Sequence, residues 1–434
     1  MTGRRTASVS FSFRSLIAVL GATAALLPGG AALAAGTEDG YAFAADARPA
    51  EAAAGTADAA RLEPGTPYTS TLPRGGTVYF RLDLDAASNT YVSVTAVPGT
   101  GGEVSAADGV RVSVRDADGR PCSLDSATFG AARSPRPLTA WGMRETSPDE
   151  TRCQDAGSYY VAVERVRPQD SPPGDWDLEI VAAIEPRLRG DGAPTAPGTW
   201  NSASPEPVAG EPERRPGGRG FADAAPLGHG VWRDDIRPGQ TLYYRVPVDW
   251  GQQVHATAEL SGSGEGRGYA PAALDLALHN PVRGRVDDAG AGYTGRRTTV
   301  ALDPVPPVEY GNRRAVAQRV SAMRFAGAHY LVVHLAAQVA DGFGTGPLAL
   351  TLRVRIGGAA GTGPGYAGEP VPNGVFEVTE RDRERAAPGA AADDDLAMKA
   401  LAAGGIGTGS LLLVGLGVWT AVAQIRARAQ KPTA

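Results

Sequence analysis

The strongest constraint on this chain's fold is that its middle is written twice. Residues 75–85 read Gly-Gly-Thr-Val-Tyr-Phe-Arg-Leu-Asp-Leu-Asp, and residues 239–249 read Gly-Gln-Thr-Leu-Tyr-Tyr-Arg-Val-Pro-Val-Asp, an offset of 164. At the same offset Val110-Arg-Val-Ser-Val114 faces Leu274-Asp-Leu-Ala-Leu278. Ala156-Gly-Ser-Tyr-Tyr-Val161 matches Ala326-Gly-Ala-His-Tyr-Leu331 at offset 170, and Trp176-Asp-Leu-Glu-Ile180 matches Leu348-Ala-Leu-Thr-Leu352 at 172. Four blocks in one order, with slowly growing offsets, mean a duplicated unit with loop insertions.

Each block reads as a strand. Val110, Val112 and Val114 alternate with Arg111, Ser113 and Arg115, and Leu274, Leu276 and Leu278 alternate with Asp275, Ala277 and His279. That period of two puts one face in a core and the other toward water. Turn residues close the strands: Asp116-Ala-Asp118-Gly119 in one copy, Asn280-Pro281 in the other. No exported segment carries a 3.6-residue apolar period over a useful length. The expected fold class is therefore all-β: two tandem antiparallel sandwiches over 61–184 and 222–357.

The order of blocks is a Gly-x-Thr-apolar-Tyr-aromatic strand, an alternating strand ending in Asp or Asn, an Ala-Gly-x-Tyr/His-Tyr-apolar strand, and a last alternating strand. This resembles the bacterial pre-peptidase C-terminal domain, and the resemblance spans both copies. It implies a jelly-roll β-sandwich and a non-catalytic module for surface targeting, adhesion or polymer binding, sometimes with calcium. Both copies depart from the pattern after the turn at Asp118, where their insertions are long and unlike.

The two ends fix the expected compartment. Arg4, Arg5 and Arg14 precede the apolar run Leu16–Leu27, and Ala32-Leu33-Ala34 offers a cleavage site, so 1–34 reads as a secretory signal peptide. The Arg4-Arg5 pair keeps a twin-arginine route open, although Thr6-Ala7-Ser8 lacks that signal's apolar continuation. From Ala400 to Ile425 no residue is charged, which is long enough for a transmembrane helix. Asp393, Asp394 and Asp395 precede it; Arg426, Arg428 and Lys431 follow it, which places the tail 426–434 in the cytoplasm. Gly405 and Gly409 form a small-xxx-small pair through which two such helices can approach. The expectation is a single-pass protein of the cell membrane, in contact with the bilayer through that helix, with its bulk outside.

Composition locates the rest. The chain holds 57 Gly and 34 Pro, and much of this excess falls in turns and in three segments, 35–60, 185–221 and 358–399. These read as extended linkers, the last a stalk above the membrane. A net charge of -5 spread along the chain argues against nucleic acid as a partner. Cys122 and Cys153 both fall in the exported part, where thiols oxidise, so a disulfide between them is expected.

A search for chemistry finds no nucleophile elbow, zinc-protease helix, phosphate loop or dinucleotide fingerprint. Ser261-Gly-Ser-Gly-Glu-Gly266 reads as a connector because no helix follows it. All five histidines, His229, His255, His279, His329 and His334, lie in the second copy. None pair at ligand spacing, and His329 and His334 face opposite sides of one strand, so no metal site is expected. Asp116 and Asp118, with Asp287 and Asp288 in the corresponding loop, can hold calcium weakly, though solvated turn residues are the plainer reading. The pairs Tyr79-Phe80 and Tyr243-Tyr244 must each send one ring into a core, which favours packing over a sugar platform.

No cofactor is expected. The functional expectation is a non-catalytic cell-envelope binding or scaffold protein whose partner is an envelope protein or an extracellular polymer. The alternative is an accessory subunit of a membrane-bound protease or secretion complex. An enzyme reading requires a cleft where acidic residues from both copies converge.

Overall fold

The computed structural model describes residues 40–99, 104–147, 150–190, 198–264 and 266–390. The expected signal peptide 1–34, the expected span 400–425 with Gly405 and Gly409, and the tail 426–434 lie outside the described residues. Among the described residues no helix is long and apolar enough to cross a membrane.

The first repeat folds into ten strands: β1 (Arg48–Pro49), β2 (Ala60–Arg61), β3 (Pro67–Leu72), β4 (Thr77–Leu84), β5 (Asn89–Val97), β6 (Gly109–Arg115), β7 (Pro121–Thr128), β8 (Leu138–Arg144), β9 (Gly157–Val166) and β10 (Trp176–Glu185). They make two sheets, in the orders β1-β3-β10-β5-β8 and β2-β4-β9-β6-β7. The second repeat supplies β11 (Glu213–Arg214), β12 (Ala225–Pro226), β13 (Gly230–Ile236), β14 (Thr241–Val248) and β15 (Gln253–Leu260). It continues with β16 (Ala270–His279), β17 (Arg285–Tyr293), β18 (Thr298–Ala301), β19 (Gly327–Leu335) and β20 (Leu348–Gly357). Its sheets run β11-β13-β20-β15-β18 and β12-β14-β19-β16-β17, the first repeat's orders with every label raised by ten. The duplication is therefore exact in topology, strand for strand. Apart from the β6–β7 hairpin and its twin β16–β17, the long strands alternate between the two sheets, which is the jelly-roll wrap.

The alternation seen in the sequence builds the cores. Val110, Val112 and Val114 meet Phe80, Leu82, Leu178 and Ile180 inside the first sandwich. Leu274, Leu276 and Leu278 meet Leu331, Val333, Leu350 and Leu352 inside the second. Each such side chain contributes about 1.5–3 kcal/mol by leaving water. The edge strand β8 offers its outward amides to side chains rather than to another chain: Trp141 N–H donates to Asp125 and Met143 N–H to Ser123.

Where they fall within the described residues, the three segments expected as linkers are folded onto the sandwiches instead. Residues 48–61 supply the parallel edge strands β1 and β2, and 213–226 supply β11 and β12 in the same places. Ala53 bridges Tyr79 as Gly218 bridges Tyr243. The repeat thus begins well before the first apolar strand, and Ala57-Asp-Ala-Ala-Arg-Leu62 returns as Ala222-Asp-Ala-Ala-Pro-Leu227. Both leucines are buried. The reason is that small residues dock through their backbones: a Cβ on Gly217 would stand 2.8 Å from the Tyr244 ring.

The stalk is corrected in the same way as far as residue 390. Val371 pairs with Ile184 and Tyr366 with Leu188, while Phe376 stacks on Phe325 with ring centroids 4.8 Å apart. Among the described residues three short α-helices complete the body: α1 (Gln318–Ser321), α2 (Val339–Phe343) and α3 (Glu380–Ala386). The last starts at a capping box in which Thr379 and Asp382 satisfy each other's amides. Arg383 ties α3 to Asp249, and Arg215 donates to the Arg385 and Ala387 carbonyls at its C-terminal end.

Candidate functional site at the junction of the sandwiches

The outer face of the β1-β3-β10-β5-β8 sheet is where the two halves meet. On β10 the core takes Leu178, Ile180 and Ala182, so Glu179, Ala183 and Glu185 point outward. In a free sandwich these carboxylates would be wet. Here Glu179 and Glu185 are fully buried by the second repeat.

Each buried carboxylate is matched by an arginine from the other sandwich. Glu185 is the hub: it accepts from Arg313 Nη2 at 2.7 Å, Asn89 Nδ2 at 2.8 Å and Tyr366 Oη at 2.9 Å. Glu179 accepts from Arg283, from Tyr41 Oη at 2.7 Å and from the Ala44 amide at 2.8 Å. Glu145 accepts from Arg324 Nη1 at 2.6 Å. The Tyr91 hydroxyl stands 2.7 Å from Glu145 and 2.9 Å from Glu185, and its one proton serves one carboxylate at a time. Burial pushes the Glu145 carboxyl up, but Arg324 and Arg313 outweigh it and hold it below the usual range. Burial, with Glu145 and Glu185 nearby, drives the Tyr91 phenol well above its ordinary value. Around the charges lies a third apolar cluster, Tyr91, Trp141, Val282, Phe325 and Phe376. Buried pairs hold only when their remaining valences are filled, as these are.

A second contact covers the outer face of the β12-β14-β19-β16-β17 sheet. Register sets three rows across β14, β19 and β16: Thr241–His334–Asp275, Tyr243–Val332–Ala277 and Arg245–Tyr330–His279. The β7–β8 connection of the first sandwich hooks over them. Ser134 Oγ lies 3.0 Å from His334 Nε2 and accepts the Ala337 amide at 3.0 Å, while Thr241 holds His334 Nδ1 at 2.9 Å. Small Ala277 leaves a pocket of about 150 Å³ with Asp275, His279 and Arg136 among its walls. Burial raises the Asp275 carboxyl and lowers His279 to about 4, so His279 is a neutral imidazole there.

On the other side of the junction runs a larger groove of about 810 Å³. The disulfide Cys122–Cys153 and Met143 wall it from the first sandwich, Tyr310 and Arg313 from the second, and Arg187 and Leu188 from the chain between. Leu188, Gly190 and Tyr310 also border an adjoining hollow of about 590 Å³ beside Trp250. Together they make one trough with aromatic, apolar and arginine walls, and each of its two parts lies within the size range of ligand sites.

The sequence-predicted residues fall as follows. Cys122 and Cys153 form the expected disulfide. Asp116 takes the Asp118 and Arg120 amides, and Arg120 pairs with both carboxylates, so the turn spends its oxygens on itself. Asp287 and Asp288 lie on β17 rather than in a loop, paired with Arg319 and Arg285. Among the described residues no group of three or more His, Cys, Asp or Glu gathers for a metal. His329 faces the core and His334 the junction, on opposite sides of β19. Both Tyr243 and Tyr244 are buried, one under Phe221 and Tyr41, the other in the core with its hydroxyl on Asp234. Glu145, Glu179, Glu185, Arg313 and Arg324 were not singled out by sequence. The available signal was three acidic residues, Asp177, Glu179 and Glu185, at outward positions of a strand whose other residues are apolar.

No family model matches this sequence, and no curated protein matches it. Among solved structures, the chain is similar to the N-terminal tandem CBM22 domain of Xyn10C from Paenibacillus barcinonensis, at 10% identity over 66% of this chain and 84% of that one, with a TM-score of 0.18. A putative secreted protein from Parabacteroides distasonis gives 10%, 68%, 89% and 0.18. The tandem CBM51 modules of Sp3GH98 from Streptococcus pneumoniae give 8%, 67%, 83% and 0.18. Scores this low carry no argument about ligand or activity.

Proposed function

We propose that this chain is a binding protein of the cell envelope that works without catalysis. It is exported, anchored by the helix at 400–425, and holds an extended envelope polymer or protein segment in the junction trough. The observation that carries this reading is the trough itself, whose walls come from both sandwiches and from the segment joining them. A buried ionic and aromatic network fixes the walls, which is the preorganisation a binding surface uses to limit its ordering cost. Among the described residues Arg152 and Arg187, exposed on its flanks, have no carboxylate partner and outnumber the exposed Glu150 beside them, and they favour an anionic or hydroxyl-rich ligand. The resemblance to pre-peptidase C-terminal domains belongs to the same proposal and rests on the four repeated blocks and the jelly-roll wrap.

The test is retention of the purified full chain on immobilised wall and extracellular polymers and against envelope protein extract. Retention is expected, with a loss of about tenfold in affinity for Arg152→Ala/Arg187→Ala at unchanged melting temperature. Recovery of the chain from the soluble cytoplasmic fraction, or binding indifferent to these substitutions, overturns the proposal.

A further inference from the structure

The two repeats fill one register row of the same sheet face in different ways. In the first, Thr77 on β4, Glu164 on β9, Arg111 on β6 and Ser126 on β7 stand side by side. Arg111 Nη1 meets Glu164 at 2.9 Å and Thr77 Oγ1 donates to the same carboxylate at 3.3 Å, so this row satisfies itself. In the second repeat the row reads Thr241, His334, Asp275 and Gly290. A histidine stands for the glutamate, and its two ring nitrogens go to the Thr241 and Ser134 hydroxyls. Asp275 stands for the arginine. A carboxylate thus occupies a place where its twin has an ion pair, and Gly290 beside it brings no side chain to meet it.

Among the described residues Asp275 has neither a hydrogen-bond donor nor an ion-pair partner. It lines the pocket of about 150 Å³ that Ala277 leaves beneath the β7–β8 connection. Arg136 of that connection lines the pocket too: its Nη1 donates to the Phe129 carbonyl at 2.8 Å, and its other N–H groups meet no carboxylate. Burial pushes the Asp275 carboxyl up, and the Arg136 guanidinium pulls it back without forming an ion pair with it. The same charge is felt by His334 and Tyr243 on the next two strands. The other charges on the walls cancel. Arg285 Nη1 holds Asp288 at 2.8 Å, and burial keeps His279 and His334 neutral.

A cavity with one free carboxylate and one free guanidinium selects its occupant by charge. A simple cation is attracted by Asp275 and repelled by Arg136, and a simple anion meets the reverse. A molecule carrying both signs satisfies each, with the guanidinium able to take a carboxylate through two parallel N–H bonds. A cavity of this volume holds about six non-hydrogen atoms, which is the size of alanine.

We propose that this pocket binds a small zwitterion, an α-amino acid of the size of glycine or alanine, with Asp275 taking its ammonium group and Arg136 its carboxylate. The pocket shares no lining residue with the trough, so its ligand is independent of whatever the trough holds.

Calorimetric titration of the full chain in neutral detergent tests this, with glycine and alanine as ligands and with ethylamine and acetate as probes of one charge alone. Both amino acids are expected to bind, and each single-charge probe to bind at least about tenfold more weakly. Asp275→Asn and Arg136→Gln are each expected to weaken the amino acids by about tenfold at an unchanged melting temperature. The comparison of probes is made on the wild type, so it decides the matter even where a variant fails to fold. No heat from either amino acid at millimolar concentration overturns the proposal. So does ethylamine or acetate binding as tightly as glycine, the mark of a site for one sign of charge, or amino-acid binding that both variants leave intact.

Discussion

Two histidines in the second sandwich are kept neutral by where they sit. His279 donates one ring nitrogen toward the Arg283 carbonyl at 3.0 Å, and His329 lies in the core with its Nε2 unpartnered. Burial lowers both to about 4. In the unfolded chain each would titrate near 6.5, so between those values the unfolded state binds more protons. Stability therefore rises with pH across that window: it is complete above about pH 6.5 and is lost as the pH falls toward about 4. A shift of this size corresponds to about 3 kcal/mol per histidine. Urea midpoints are expected to fall steadily from pH 7.5 to pH 4.5, and His329→Gln is expected to shallow that slope. Equal midpoints at the two ends of the range would refute the account.

At the scale of elements, the disulfide joins β7 to the loop before β9, 31 positions along the chain. Closing such a loop contributes about 3–4 kcal/mol by limiting the unfolded chain. Cys122 and Cys153 also wall the trough, so Cys122→Ala/Cys153→Ala is expected to lower the denaturation midpoint and weaken polymer retention together. Loss of stability with retention intact would separate the bridge from the binding wall. The strands themselves were legible because alternation is a direct consequence of one wet face, and Val110–Val114 or Leu274–Leu278 could hardly be read otherwise. The segments 40–60, 198–221 and 358–390 were not legible as structure. Their contacts are backbone-to-ring approaches that leave no apolar periodicity, such as Gly363 against the Trp250 indole, where a Cβ would stand 2.3 Å from Nε1. The repeated Ala-Asp-Ala-Ala-x-Leu run was the available signal, and it looks like composition until its offset of 165 is set beside the others. The candidate site was hidden for a different reason. Glu179 and Glu185 read as solvated outward residues, and only the approach of a second sandwich turns them into buried hubs.

At the scale of the whole molecule, that junction decides whether two sandwiches melt as one body. Tandem modules on a flexible linker unfold separately, each by its own stability. Here both sandwiches fall in one compact unit. Separating them would strand Glu179 and Glu185 without Arg283 and Arg313 and would wet the Tyr91–Phe325–Phe376 cluster. Breaking one partner of a buried pair costs about 3–5 kcal/mol, a large share of what a single domain of this size possesses. Neither half can therefore open without much of the other's stabilisation going with it. Scanning calorimetry of the full chain is expected to show one cooperative transition with equal calorimetric and van't Hoff enthalpies. Glu185→Ala removes the hub of Arg313, Asn89 and Tyr366 while leaving both jelly-roll cores untouched, and it is expected to split that transition in two. Two transitions already in the wild type would mean that the junction is a contact between independent modules, and a trough built across it would then lack fixed walls.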